Sequence, residues 1–375
     1  MRVVVALDSF KGSLDSRAAG EAVRDGVLRV VPDADVVVVP VADGGEGTLE
    51  ALAHRVSSWV EVETVDAVGR PLIAPYAVLG DGTAVVEAAR SVGLGSVDRV
   101  DHTLPPRASS CGVGVQLAHA LASGAGEVLV GLGGSACTDG GTGLLRALGV
   151  DVRSTSAEGN PLWELDRLAG PLPDLSRVVV LSDVVNPLLG PDGAARVFGP
   201  QKGATDEQVE HLETQMRRWA TGLGDVAARP GAGAAGGIGG ALLAGGATVV
   251  AGFARLAALI GLPETVRGAD LVVTGEGSLD RQTTMGKAPD GVARLGRRAG
   301  ALVVGLGGRV ERPAPDDFDA VLPVHGRPRP LAEALDPTLT LDELAATAAE
   351  VVRLIRAAAG AGPPRGSARR PAGSR

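Results

Sequence analysis

Short runs of β-branched and apolar residues recur along the chain, and each ends in a loop of Gly, Asp and Ser. Three are VVVALD into SFKGS (3–13), VVVVPV into ADGGEGT (36–48) and EVLVGL into GGSACTDGG (127–141). Three more are VVVLSD into VVNPLLG (178–190), LVVTG into EGSLDRQT (271–283) and LVVGL into GGR (302–309). Nearly continuous apolar strands of this kind belong to parallel sheets covered on both faces. Segments with helical periodicity lie between them. Residues 14–30 carry Leu14, Ala18, Val23, Val27 and Val30 at helical spacing, with Ser13 as the expected N-cap. Residues 205–221 form a polar amphipathic segment begun by Thr205, and 341–358 reads as a further helix. Alternating strands and helices predict an α/β protein with mainly parallel sheet.

Between about 57 and 90 the texture changes. WVEVETV, PLIAPYAVLG and TAVVEAA are strand-like, with turn signals and no helix between them. This stretch predicts an antiparallel or mixed excursion that opens an inserted domain. No fixed-period repeat is visible. In open parallel sheets ligands bind beyond the carboxyl ends of the strands, so six Gly-rich loops at six such ends predict one site assembled from distant sequence.

The 375 residues suffice for two domains or one large α/β unit. Aromatic residues are only 2% of the chain, so the core must be built from Val, Leu and Ala. A net charge of −8 argues against nucleic acid or an acidic membrane as the main partner. Residues 360–375, rich in Gly, Pro, Ser and Arg, are expected to be a disordered tail. No apolar run reaches the roughly 20 residues that cross a bilayer. The first residues enter a strand directly, without a signal-peptide layout. The two cysteines, Cys111 and Cys137, and five scattered His residues show no zinc spacing. A cytoplasmic protein with reduced thiols is the expectation.

Lysine is rare. Only Lys11, Lys202 and Lys287 occur, against 33 Arg, and all three adjoin a Gly: FKGS, QKGA and MGKA. An ammonium acts as a point charge against phosphate, and neighbouring Gly lets backbone N–H groups approach an anion. The three lysines are therefore candidate phosphate or carboxylate contacts. Gly133, Gly134 and Ser135 follow a strand and precede a helix expected to begin near Asp139, which would make an anion site of the helix N-terminus type. GLGGSA (131–136) and GAGAAG (231–236) also fit dinucleotide fingerprints, which keeps a dinucleotide-dependent oxidoreductase as an alternative. No Walker A motif is present. Carboxylates gather in the same loops: Asp8, Asp43, Glu46, Asp139, Asp183, Glu276 and Asp280. Phosphoryl transfer needs such groups to hold Mg²⁺ and to orient the attacking hydroxyl. Each is also a plausible turn former or cap.

DSFKGS, ADGGEGT, LGGSA-x-x-DGG, NPLLG, FGPQKGA, PGAGAAGG, TGEG and GKAPDGVA, in order from residue 2 to about 360, resemble the glycerate kinase family. The resemblance implies a flavodoxin-like, Rossmann-like α/β domain (1–65 plus 285–359) with a second α/β domain inserted (66–284), each a three-layer arrangement on a mainly parallel sheet. It implies ATP-dependent phosphorylation of D-glycerate with Mg²⁺, with 2-phosphoglycerate favoured over 3-phosphoglycerate. Lys11, Asp43, Asp183 and Glu276 become the expected catalytic residues, with Asp183 and Glu276 as Mg²⁺ ligands. Ser9, Lys11, Gly44, Gly45, Glu46, Gly133, Gly134, Ser135, Asp139, Asn186, Gln201, Lys202, Asp280 and Lys287 become the expected substrate and phosphate contacts. The partners are then small molecules, for a monomer or homodimer. Three positions depart from the family pattern: Val185 stands where a second Asp is expected, Met285 replaces a His or Arg, and Gln116 stands in or beside the place of a Glu. These departures motivate a second reading, a catalytically weakened ligand-binding homologue.

Overall fold

A computed structural model of the chain describes residues 1–156, 159–279, 287–311 and 316–360. Asp280, Met285 and the expected tail from residue 361 onward lie outside them. The described strands are β1 (Arg2–Leu7), β2 (Asp35–Val38), β3 (Val56–Val65), β4 (Pro71–Leu79), β5 (Ala84–Glu87) and β6 (Val128–Gly131). They continue with β7 (Asp151–Ser154), β8 (Leu165–Ala169), β9 (Val178–Leu181), β10 (Thr248–Val250), β11 (Leu271–Leu279), β12 (Leu302–Val310) and β13 (Ala320–Pro323).

Two sheets carry the fold. The first has the order β13-β12-β11-β1-β2 and is parallel throughout. The second has the order β10-β9-β6-β5-β4-β3. Its pairs from β10 to β5 are parallel, and β5-β4 and β4-β3 are antiparallel, as the 57–90 pattern predicts. A small antiparallel ribbon, β7-β8, stands apart. The expected seams at 65/66 and 284/285 differ from the sheet memberships. β3 already belongs to the second sheet and β11 already to the first, so the chain changes sheet within 39–55 and 251–270.

Strand alternation explains the unbroken apolar runs. Val3, Val5 and Leu7 face the helices Ser16–Val30 and Pro337–Gly360, while Val4 and Ala6 face the other way. In β6 and β9, Leu129 and Leu181 join Val4 and Ala6 in one core, whereas Val128, Val130, Val178 and Val180 face the opposite side. That middle core also holds Phe253 and Leu256 of helix Gly252–Leu259 and Val292 of helix Ala288–Arg298. The two sheets thus share a helical layer. Burying both faces of the central strands removes most of their apolar side chains from water, which is the main driving force for this stack.

Two of the longer helices start at side-chain caps. Helix Asp206–Ala220 begins at Thr205 in a capping box with Gln208, as expected. The first helix begins at Ser16 rather than after Ser13, because residues 10–14 close a turn in which Leu14 N donates to Phe10 O. Asp15 is its cap, accepting from Ala18 N at 2.7 Å. Ser13 instead donates to Thr340 at 2.9 Å. Gly26 lets this helix meet Pro337–Gly360, since a Cβ there would stand 2.1 Å from Ala345 O.

Candidate active site

The loops at the carboxyl ends of strands from both sheets meet. Asp8 N donates to Gly275 O at 2.8 Å, joining the ends of β1 and β11, and Gly133 N donates to Gly44 O at 3.1 Å, joining the two sheets. Three neighbouring cavities open along this line. One, of ≈ 380 Å³, lies among Asp43, Gly133, Asp183, Asn186 and Lys287. A second, of ≈ 440 Å³, shares Lys287 with the first and also borders Lys11, Glu276, Arg309 and His325. A third, of ≈ 370 Å³, shares Ser9 and Lys11 with the second and contains Glu46, Glu87 and Arg90.

Acidic groups concentrate between them. Burial, helped by the charges of Asp43 and Glu276, pushes the Asp8 carboxyl up to about 8, against the Ser9 N–H and Lys11. Asp183 is raised to about 6 by burial and by Asp43, although it accepts from Gly252 N at 3.0 Å and Phe253 N at 3.3 Å. Those bonds cap helix Gly252–Leu259, so Asp183 both starts a helix and faces the cavity. Asp43 Oδ1 accepts from Gly45 N at 3.0 Å within its own loop. Glu276 is buried and lies 3.5 Å from Lys287 Nζ. Lys287 immediately precedes helix Ala288–Arg298.

Lys11, Lys287, Ser9, Asp43, Glu46, Gly133, Asp183, Asn186 and Glu276 thus come to one connected cleft. Gly44 and Gly45 bring the loop after β2 against Gly133. Other expected residues point elsewhere. Lys202 is buried, and its Nζ donates to Cys137 O at 2.7 Å and Ser135 Oγ at 3.1 Å. Burial lowers its pKa. It fixes the loop 133–137 from behind rather than facing an anion. Asp139 is fully buried and accepts from Ser110 N, Ser110 Oγ, Gly141 N and Gly143 N. It organises two helix starts. Gln201 is exposed and borders none of the three cavities.

The helix expected near Asp139 begins only at Thr142, because Gly140 and Gly141 are both left-handed. Gly133–Ser135 therefore stand well before any helix N-terminus. The dinucleotide fingerprints lose their context for the same reason. Residues 131–136 follow β6 with no helix next, and 231–236 follow a turn and include left-handed Ala235 and Gly236.

Glu87, Arg90, Arg309 and His325 are among the cavity residues that sequence reasoning missed. Glu87 ends the apolar run AVVE, the same signal that marked Asp183 and Glu276. Its carboxylate accepts from Leu49 N at 3.0 Å and Gly47 N at 3.3 Å, and burial raises it to about 7. Arg309 and His325 carry no comparable local signal.

Among the described residues no three His, Cys, Asp or Glu are arranged to hold a metal by themselves. Mg²⁺ sites commonly take one or two carboxylates and complete the shell with substrate phosphates and water. Asp8, raised by burial and then by the charges of Asp43 and Glu276, stands in a hard-oxygen group from which one or two carboxylates fit such a half-site.

The family model described as the glycerate kinase family matches residues 3–356. The glycerate 2-kinase of Escherichia coli K12 is 37% identical over 330 residues, covering 82% of this chain and 85% of that protein. The glycerate kinase of Halalkalibacterium halodurans is 36% identical over 371 residues, covering 93% and 97%. A crystal structure described as glycerate kinase 2 from Salmonella typhimurium LT2 aligns with a TM-score of 0.77 at 36% identity, over 96% of this chain and 99% of that one.

Proposed function

The chain belongs to the glycerate kinase family, and from that premise we propose that it transfers the γ-phosphoryl group of ATP to glycerate, giving 2-phosphoglycerate. The observation that carries the proposal is the position of Lys11 and Lys287 on the walls between adjoining cavities, beside the carboxylates Asp8, Asp43 and Glu276. The name of the Escherichia coli relative favours the 2-phosphate. A bacterial enzyme using these substrates would work in the cytoplasm.

In this reading the acceptor acid occupies the Asp43–Asp183–Asn186 cavity. Asp183, with a pKa near 6, is ionised at neutral pH and accepts the hydroxyl proton as the bond to phosphorus forms. Its two amide bonds hold it in place, so little reorganisation accompanies the transfer. Lys287 and Lys11 neutralise charge on the transferring group. One or two of Asp8, Asp43 and Glu276 would hold Mg²⁺, which, when bound, would offset the charge of the β- and γ-phosphates. Lys202 and Asp139 act from behind by fixing the loops that carry Gly133 and Ser135.

The test is incubation of the pure protein with Mg-ATP and a panel of small hydroxy acids, following ADP release and identifying products by phosphorus NMR. Formation of 2-phosphoglycerate is the expected outcome. ADP without a phosphorylated acid, or no turnover, would favour the second reading, a binding homologue. That reading draws on Val185, which is 65% exposed on the acceptor cavity where the family pattern has an acid.

A further inference from the structure

We infer that the ≈ 440 Å³ cavity is the seat of the nucleotide, with its base and ribose against Leu331, Ala334 and Leu335 and its phosphates running past Lys11 to Lys287. The inference rests on the kinase reading above and adds to it which cavity takes which substrate.

Charge separates the three cavities. Among the described residues, the acceptor cavity is bordered by Asp43 and Asp183 against Lys287, and the third by Asp15, Glu46, Glu50 and Glu87 against Lys11 and Arg90. Arg90 is already paired with Glu50 and lies 3.5 Å from Glu87. A polyphosphate, with several negative charges, is disfavoured in both, whereas Lys287 can pair with the single carboxylate of the acceptor acid. The ≈ 440 Å³ cavity instead brings together Lys11, Arg309 and Lys287, with Glu276 as its lining carboxylate, and that acid lies beside Lys287.

The far wall is apolar, which suits a planar base. Leu331 is 73% exposed, so a ligand covering it removes apolar surface from water. Helix Leu331–Ala334 is no loose flap. Ser13 ties the loop after β1 to Thr340 at 2.9 Å. Half-buried Arg329 bridges Glu333 and Glu343, and Glu343 also pairs with His325 at 2.6 Å. Lys287 borders this cavity and the acceptor cavity alike, so phosphates reaching it arrive at the acceptor hydroxyl.

The test compares Leu331→Glu and Leu335→Glu with Asn186→Ala. Binding is read by titration with a fluorescent ADP analogue, and KM is measured separately for ATP and for glycerate. A carboxylate on the apolar wall should weaken nucleotide binding and raise the KM for ATP about tenfold or more, with the KM for glycerate unchanged. Asn186→Ala should do the reverse. Because Leu331 is exposed, its variant folds normally, and circular dichroism checks this. If the leucine variants leave nucleotide binding intact, or move the KM for glycerate instead, the assignment falls while the kinase reading stands. If the wild type binds the analogue and the leucine variants do not, yet no acid is phosphorylated, the seat stands and the kinase reading falls.

Discussion

Lys11 and Lys202 look alike in sequence, each followed by Gly, yet one is exposed between two cavities and the other is buried behind a loop. Lys11→Ala should therefore lower kcat by about 10²-fold or more, as the loss of a charge-stabilising group does, while leaving the melting temperature near the wild-type value. An unchanged kcat and KM would remove Lys11 from the mechanism. Asp8 makes a stability prediction. Its pKa rises from 3.8 to about 8 on folding, so the folded state binds more protons than the unfolded state between those values. Stability must then fall as pH rises through that window. Asp8→Asn should raise the melting temperature in metal-free buffer, with an advantage that grows from acid pH to about pH 8 and then levels, and it should lower activity. Thermal melts across pH check the sign: an advantage that shrinks with rising pH would contradict it.

At the scale of elements, the same residue can build the fold and serve the site. Asp183 caps helix Gly252–Leu259 while facing the acceptor cavity, so Asp183→Ala should cost about 1 kcal/mol of stability as well as activity. Asp183→Asn keeps an acceptor oxygen and should recover most of the stability but not the turnover; denaturant melts and kcat together separate the two roles. Helix Ala234–Ala244 opens with a left-handed run in which Ala235 has φ 52°. A side chain there costs about 1–2 kcal/mol, so Ala235→Gly should stabilise the protein by about 1 kcal/mol in a denaturant melt. The six principal strand–loop units were legible because a run of Val and Leu ending in Gly and Asp is a local signal. β7, β8, β10 and β13 were not, because β7 and β8 expose charged residues and β10 and β13 are only three and four residues long. The Asp139 helix start was misread because two consecutive left-handed glycines, invisible in composition, delay it to Thr142.

For the whole molecule, the shared core is the consequential feature. Leu129 and Leu181 of one sheet pack in one cluster with Val4 and Val272 of the other through a common helical layer. The two sheets should therefore unfold in one cooperative transition, with coincident melts by calorimetry and by circular dichroism. Two resolved transitions would show that the sheets behave as independent domains. The sequence by itself determined the parallel α/β class, the Gly-rich loops at strand ends and the rarity of lysine. It did so because strand and turn formation depend on the local pattern of apolar, β-branched and small residues. Tertiary structure alone decided that Lys11 and Lys287 face cavities and Lys202 does not, that Asp139 is a buried organiser, and that Arg309 and His325 line a cavity with Lys11. A loop side chain takes its direction and its electrostatic neighbours from segments hundreds of residues away, and no local pattern encodes that packing.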